Sequence, residues 1–180
     1  MTDHLSQQSW RVHDRFLELR SPWVTLLGEH LETEQGVLEY WRVEKANSAV
    51  ILTIEDNQFV LPLPMYRPGI GRATLDFPGG RVPEGKLPDD VATSILQREL
   101  GVEAGTIVQL TSLSSAGWAV NSSFSNQRLY GFVAQLQSGA VQADCVRYPT
   151  IDAGVRDLLH TLACLQCRAV LLEWWRHQKT

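Results

Sequence analysis

The chain has 180 residues, enough for one domain with a sizeable core. It is 44% hydrophobic and 20% charged, the balance of an ordinary soluble protein. A net charge of −4 without any run of Lys or Arg argues against nucleic acid or an anionic membrane surface as a partner.

The opening stretch, "MTDHLSQQSWRVHDRF", has no apolar signal core, which points to the cytoplasm. Residues Trp10 to Leu19 suit either a short helix or a strand. From about Trp23 to Val43, apolar and polar residues alternate on both sides of Gln35-Gly36, which predicts a β-hairpin. A second hairpin is expected around Asp56-Asn57, with strands Ala49–Ile54 and Phe59–Met65. "ATLDFPGG" reads as a short strand ending at Pro78. A helix follows from about Leu87 to Leu100: Pro88 suits its first turn, Asp89 and Asp90 suit the positive end of its dipole, and Gly101 supplies the stop. Strands at Thr106–Leu113 and Arg128–Leu136 flank the polar loop "SSAGWAVNSSFSNQ".

The last element is expected to be one helix from about Asp152 to Trp175, capped near Thr150 or Asp152. Arg156, Asp157, His160, Arg168 and Glu173 interrupt its apolar run, so it reads as a buried amphipathic helix and not a membrane span. On such a helix His160, Cys164 and Cys167 fall at i, i+4 and i+7, and Cys145 could complete a zinc site. The simpler reading is that these are small apolar thiols on the core face. Three cysteines are too few, and odd in number, for a disulfide framework. Trp174 and Trp175 are adjacent and cannot point the same way, so one is expected to seal the core. The order of strands, helix, strands, helix predicts an α+β fold, a mixed sheet with helices on its faces.

One stretch carries chemistry: "FPGGRVPEGKLPDDVATSILQRELGV", Phe77 to Val102. Gly79 and Gly80 allow close approach of the backbone to a ligand, and a loop feeding a helix N-terminus offers N–H groups to phosphate oxygens. Its spacing resembles the Nudix box. With the box glycine on Gly80, the closing pair falls on Gly101-Val102 without a gap, and the apolar positions fall on Leu96 and Val102. "LDFPGG" is similar to the corresponding run of the ADP-ribose pyrophosphatase branch, with Asp76 in place of Glu, and Tyr66-Arg67-Pro68 matches that branch's "YRP".

The resemblance covers nearly the whole chain. It implies the Nudix fold, a mixed β-sheet sandwiched between helices (α/β/α) with an N-terminal antiparallel hairpin. Residues 1–45 would be a hairpin and dimerisation segment and 46–180 a Nudix-like domain, together one structural domain. A homodimer is implied, and the hairpin's Trp23, Val24, Leu38, Tyr40 and Trp41 are much apolar surface for an exposed element.

The acidic positions depart from the family. The first box Glu falls on Lys86, the Arg-Glu pair on Ser94-Ile95, and the Glu-Glu pair on Arg98-Glu99. In the family these carboxylates hold divalent metal ions, which need hard oxygen ligands and neutralise charge on the phosphoryl group. Positions 95, 98 and 99 share one helix face, so that face offers a single carboxylate beside a fixed cation. Glu84 and Glu103 lie in loops near it, Asp89 and Asp90 read as helix-dipole residues, and the place of a further family acid is taken by Gln127.

Two readings result. In one, metal-dependent hydrolysis is lost or strongly weakened, and Lys86 and Arg98 clasp the pyrophosphate of a nucleotide-type small molecule beside Gly79 and Gly80. In the alternative, the chain is an active Mg²⁺- or Mn²⁺-dependent hydrolase of ADP-ribose-like substrates. Glu99 would then be the catalytic metal ligand, with Glu84 or Glu103 in support and Arg67 as a candidate phosphate contact. Trp118 and Phe124 could stack on a base.

Overall fold

The structure, a computed structural model, describes residues 10–179. The first nine residues of the stretch read for a signal core lie outside the described residues. The chain divides into two compact units, one formed by Met1–Ala46 with Ala119–Gln127, the other by Asn47–Trp118 with Arg128–Thr180.

The first unit is built on an antiparallel sheet of three strands in sequence order, β1 (Arg11–Arg20), β2 (Thr25–Thr33) and β3 (Gly36–Glu44). The Trp10–Leu19 region is therefore a strand. Gly36 takes a φ of 118° in the tight turn between β2 and β3, a conformation that favours glycine. Gly28 on β2 is required for another reason: a Cβ there would lie 2.5 Å from the Phe16 ring. Phe16 in turn packs edge-on against Trp41. Glu29 is fully buried and is held by Arg15 (2.8 Å) and Arg42 (2.8 Å). Hydrogen bonds from Arg42, and then Arg15, outweigh burial and keep its carboxyl below the usual glutamate range. The segment Ala119–Gln127 is tied in by backbone and amide bonds: Val43 N–H donates to the Phe124 carbonyl and Gln127 Nε2 to the Ala46 carbonyl.

In the second unit the central strand is β4 (Asn47–Glu55). It pairs antiparallel with β5 (Gln58–Pro62) around Asp56-Asn57, whose φ angles of 49° and 59° are those of a primed hairpin turn. Pro62 and Pro64 stop β5 short of the expected Met65, which instead opens β6 (Met65–Arg67), paired with β7 (Arg72–Thr74). The strand that was to end at Pro78 is also redrawn. β8 (Gly79–Val82) starts after the proline and pairs antiparallel with β4, so the two glycines stand in a strand and not in a loop. Helix α1 (Pro88–Leu100) follows, with Pro88 in its first turn and Gly101 left-handed at its end, as expected.

Strand β9 (Ile107–Ser112) pairs antiparallel with β11 (Arg128–Leu136), and the short β10 (Trp118–Ala119) lies on the same path. β11 runs parallel to β4 from Leu129↔Ser48 to Gln135↔Ile54, which makes the sheet mixed. An edge strand the sequence did not announce, β12 (Cys145–Pro149), completes the order β10-β11-β4-β5-β12. The expected single last helix is two. α2 (Asp152–Thr161) and α3 (Leu165–His177) are separated by extended residues, and the Arg168 guanidinium bonds the carbonyls of Leu159 and Leu162 across the break. Ile151, and not Thr150 or Asp152, occupies the N-cap of α2, without a side-chain cap.

β4 is buried on both faces, as a central strand between helix layers must be. Ala49 and Ile51 pack in one cluster with Ala92, Ile95, Leu96 and Leu100 of α1. On the α3 side, Trp174 packs edge-on against Phe59 at 5.0 Å, so Trp174 seals the core. Trp175 donates its indole N–H to Asp152 and lies under Lys179. The expected architecture, an α+β sandwich of helices about a mixed sheet with an N-terminal antiparallel hairpin, is thus present, with one extra N-terminal strand. No helix among the described residues is long and apolar enough to cross a membrane.

Candidate functional site

The site is built where β8 meets α1. Gly79 and Gly80 pair with Val50 and Ala49 of β4, which fixes their backbone, and neither has a positive φ. Their small size serves close approach. A Cβ on Gly80 would lie 3.2 Å from Arg98 Nη2 and from Ile95 Cδ1, so the glycine lets the last turns of α1 sit against the strand.

The acidic-box positions separate by burial. Ile95 is 1% exposed and belongs to the core cluster beneath the helix. Glu99 is half-buried and its two oxygens are both engaged: Oε2 accepts the Gly79 N–H at 3.1 Å, and Oε1 accepts Arg98 Nη2 at 2.6 Å. Arg98 also donates to the Gly79 carbonyl at 3.2 Å. These three residues form a closed knot in which one guanidinium neutralises the one carboxylate, and strand β8 is stitched to α1 by both polar groups of a single peptide position. The Gly79 N–H, expected to be free for a phosphate oxygen, is spent on Glu99.

Lys86 is exposed in the turn before α1, its backbone N–H bonded to the Pro83 carbonyl. Glu84 is exposed in the same turn, Glu103 is exposed just beyond α1, and Asp89 and Asp90 are exposed on its first turn. Arg67, on β6, is exposed and engaged: its Nε donates to Asp76 Oδ2 at 2.8 Å. Thr74 Oγ1 donates to the same oxygen at 3.0 Å. The structure therefore brings together Gly79, Gly80, Arg98 and Glu99 of the residues singled out in the sequence, and joins Arg67 to Asp76. Trp118 is packed over Gly131, where a Cβ would lie 2.7 Å from its ring, so it has a structural position.

A second grouping contains Cys164 and Cys167, as the sequence suggested, but with Asp76 as a partner that sequence reasoning missed. Asp76, Cys164 and Cys167 place one ligand atom each within 4.8 Å of one another. His160, expected on a shared stripe with the cysteines, is exposed on α2, and the break before α3 removes that stripe; neither it nor Cys145 joins the group. The signal that could have found it is the Cys-x-x-Cys spacing at a helix start.

No family model matches the chain, and no curated protein matches it. A solved structure described as the crystal structure of an ADP compounds hydrolase is similar to it, with a TM-score of 0.75 and 22% sequence identity, covering 96% of this chain and 95% of that one. At that identity the likeness speaks to fold, and the fold is Nudix-like.

Proposed function

We propose that this chain is a cytoplasmic binder of a pyrophosphate-linked nucleotide, of the ADP-ribose type, that has lost or nearly lost metal-dependent hydrolysis. The observation that carries the reading is the state of Glu99. A catalytic Mg²⁺ or Mn²⁺ needs several free carboxylate oxygens converging on one point. Here the box positions supply an alkyl chain in the core (Ile95), two cations (Lys86 and Arg98) and one carboxylate whose oxygens are taken by Gly79 N–H and by Arg98. That donor set does not fit a divalent cation.

What remains suits an anion. Arg98 presents a guanidinium that is 59% exposed on its side chain, beside the backbone of Gly79 and Gly80. A diphosphate carries the charge and the paired oxygens that a guanidinium fork matches. A nucleotide ligand is also in keeping with the similar solved structure, an ADP compounds hydrolase.

The test has two parts. Release of AMP from ADP-ribose is measured with Mg²⁺ and with Mn²⁺ for the wild type and Glu99→Gln; both are expected to be silent, and turnover that vanishes in the variant would restore Glu99 as a metal ligand. Calorimetric binding of ADP-ribose in EDTA is then expected for the wild type and weakened about tenfold or more in Arg98→Ala, as a lost charged hydrogen bond of 1.5–3 kcal/mol requires. Absence of binding in the wild type would defeat the proposal.

The reading includes a homodimer. Trp10, Val12, Leu19, Trp23 and Val37 leave large apolar groups exposed on the N-terminal unit, more than a solitary three-stranded sheet ordinarily shows. Sedimentation equilibrium is expected to give twice the chain mass, and a concentration-independent single mass would remove this part.

A further inference from the structure

The Asp76, Cys164 and Cys167 group lies on the α3 side of the fold, apart from the Arg98–Glu99 knot that α1 supplies. Cys164 is the N-cap of α3 and Cys167 is its third residue, so the two thiols face the same first turn. Asp76 completes the triangle from the chain between β7 and β8: its Oδ1 is 3.9 Å from Cys167 Sγ.

The carboxylate is oriented, not loose. Arg67 and Thr74 both bond Oδ2, which leaves Oδ1 turned toward the thiols. Its side chain is 11% exposed, and Cys167 is buried. A half-buried carboxylate pressed against two sulfurs opposes thiolate formation by simple repulsion, so it is ill placed for thiol–disulfide exchange. The same arrangement is favourable when a cation sits among the three atoms. Ligands of one tetrahedral ion with metal–sulfur bonds of about 2.3 Å and metal–oxygen bonds of about 2 Å stand roughly 3.5–3.8 Å apart, so three atoms within 4.8 Å of one another share an ion after a small closure of the side chains. Sulfur ligands select zinc-type ions over Mg²⁺ or Ca²⁺.

We infer that Asp76, Cys164 and Cys167 form a binding site for one zinc-type divalent cation, with the fourth position left to water or an outside ligand. The ion ties the chain ahead of β8 to the start of α3, residues 91 apart in sequence. Arg67 and Thr74 are the outer residues that hold Asp76 in its ligating orientation. This site is independent of the nucleotide reading, since it uses none of Gly79, Gly80, Arg98 or Glu99.

The test uses the full chain, fully reduced, titrated with Co²⁺ and then Zn²⁺. One Co²⁺ per chain is expected, with a near-ultraviolet thiolate-to-cobalt charge-transfer band and the strong visible bands of a tetrahedral ion, both bleached by one equivalent of Zn²⁺. Cys164→Ser, at a half-buried position that serine tolerates, is expected to cut the charge-transfer intensity by about half or abolish binding. Asp76→Asn is expected to keep both thiolate bonds and weaken affinity by at least about tenfold. Cys145→Ser is the thiol control and leaves the spectrum unchanged. Failure of the reduced wild type to take up cobalt overturns the inference, as does a spectrum unaltered in Cys164→Ser.

Discussion

Replacing Glu99 separates a structural carboxylate from a metal-binding one. In Glu99→Ala the Gly79 N–H loses a charged acceptor at 3.1 Å and Arg98 loses its partner. A hydrogen bond to a charged group contributes about 1.5–3 kcal/mol, while the pair with Arg98, whose side chain is 59% exposed, adds under about 1 kcal/mol. The alanine variant is thus expected to lose about 2–3 kcal/mol. Glu99→Gln keeps an amide oxygen for the Gly79 N–H and loses chiefly the exposed pair, about 1 kcal/mol or less. For a chain of this length each kcal/mol moves Tm by about 2–4 °C, so thermal unfolding followed by circular dichroism reads roughly 4–12 °C for alanine against at most about 4 °C for glutamine. Equal losses in the two variants would mean that an amide oxygen cannot replace the carboxylate and would refute the Gly79 N–H bond as the main contribution. A Mg²⁺-dependent rise in the wild-type Tm that is absent from Glu99→Gln would do the same, because it would show the carboxylate holding metal.

Two further outcomes follow from burial. Ile95→Glu restores an acid at a box position, yet the side chain is 1% exposed among Ala49, Ala92 and Leu96; urea unfolding is expected to show a loss of about 3–5 kcal/mol with no gain in ADP-ribose hydrolysis, and a stable, active variant would contradict the placement. Glu55 on β4 is buried; burial pushes its carboxyl up, but Arg147 and the Val141 N–H overcome this and hold it below its ordinary value of 4.5. A lowered native value means its contribution is full above pH 4.5 and drains as pH falls below that toward the native value. Glu55→Gln is expected to be less stable at neutral pH and to show a shallower loss on acidification, and parallel acid curves for the two proteins would show that Glu55 is not the group responsible.

Much of the frame was readable because local chemistry agreed with the fold. Pro88, Asp89, Asp90 and Gly101 bracket α1, and Asp56-Asn57 is a turn pair whose positive φ angles the structure contains. The break between α2 and α3 was not readable. Leu162, Ala163 and Cys164 continue an apolar pattern, and the interruption is maintained by Arg168 reaching back to the carbonyls of Leu159 on α2 and Leu162 in the break. β12 hid for a related reason: five residues with an arginine and a proline carry little strand signal until β5 offers an edge. At the site, residue types were legible but their engagements were not. The bonds that decide the chemistry join Glu99 to Gly79 and Asp76 to Cys167, pairs 20 and 91 positions apart that no periodicity connects.

The parallel pairing of β4 with β11 sets the order in which the protein can assemble. β5 and β8 reach β4 by short excursions, but Leu129 must find Ser48 across some eighty intervening residues. On the ribosome, the heavily buried strand β4 emerges some eighty residues ahead of β11 and waits with one edge bare until that partner is made. Closing so long a loop is slow, and an apolar strand with an open edge invites pairing between chains. Refolding yield is therefore expected to fall with protein concentration, and the cell's chaperones have their longest task in the interval before β11 arrives.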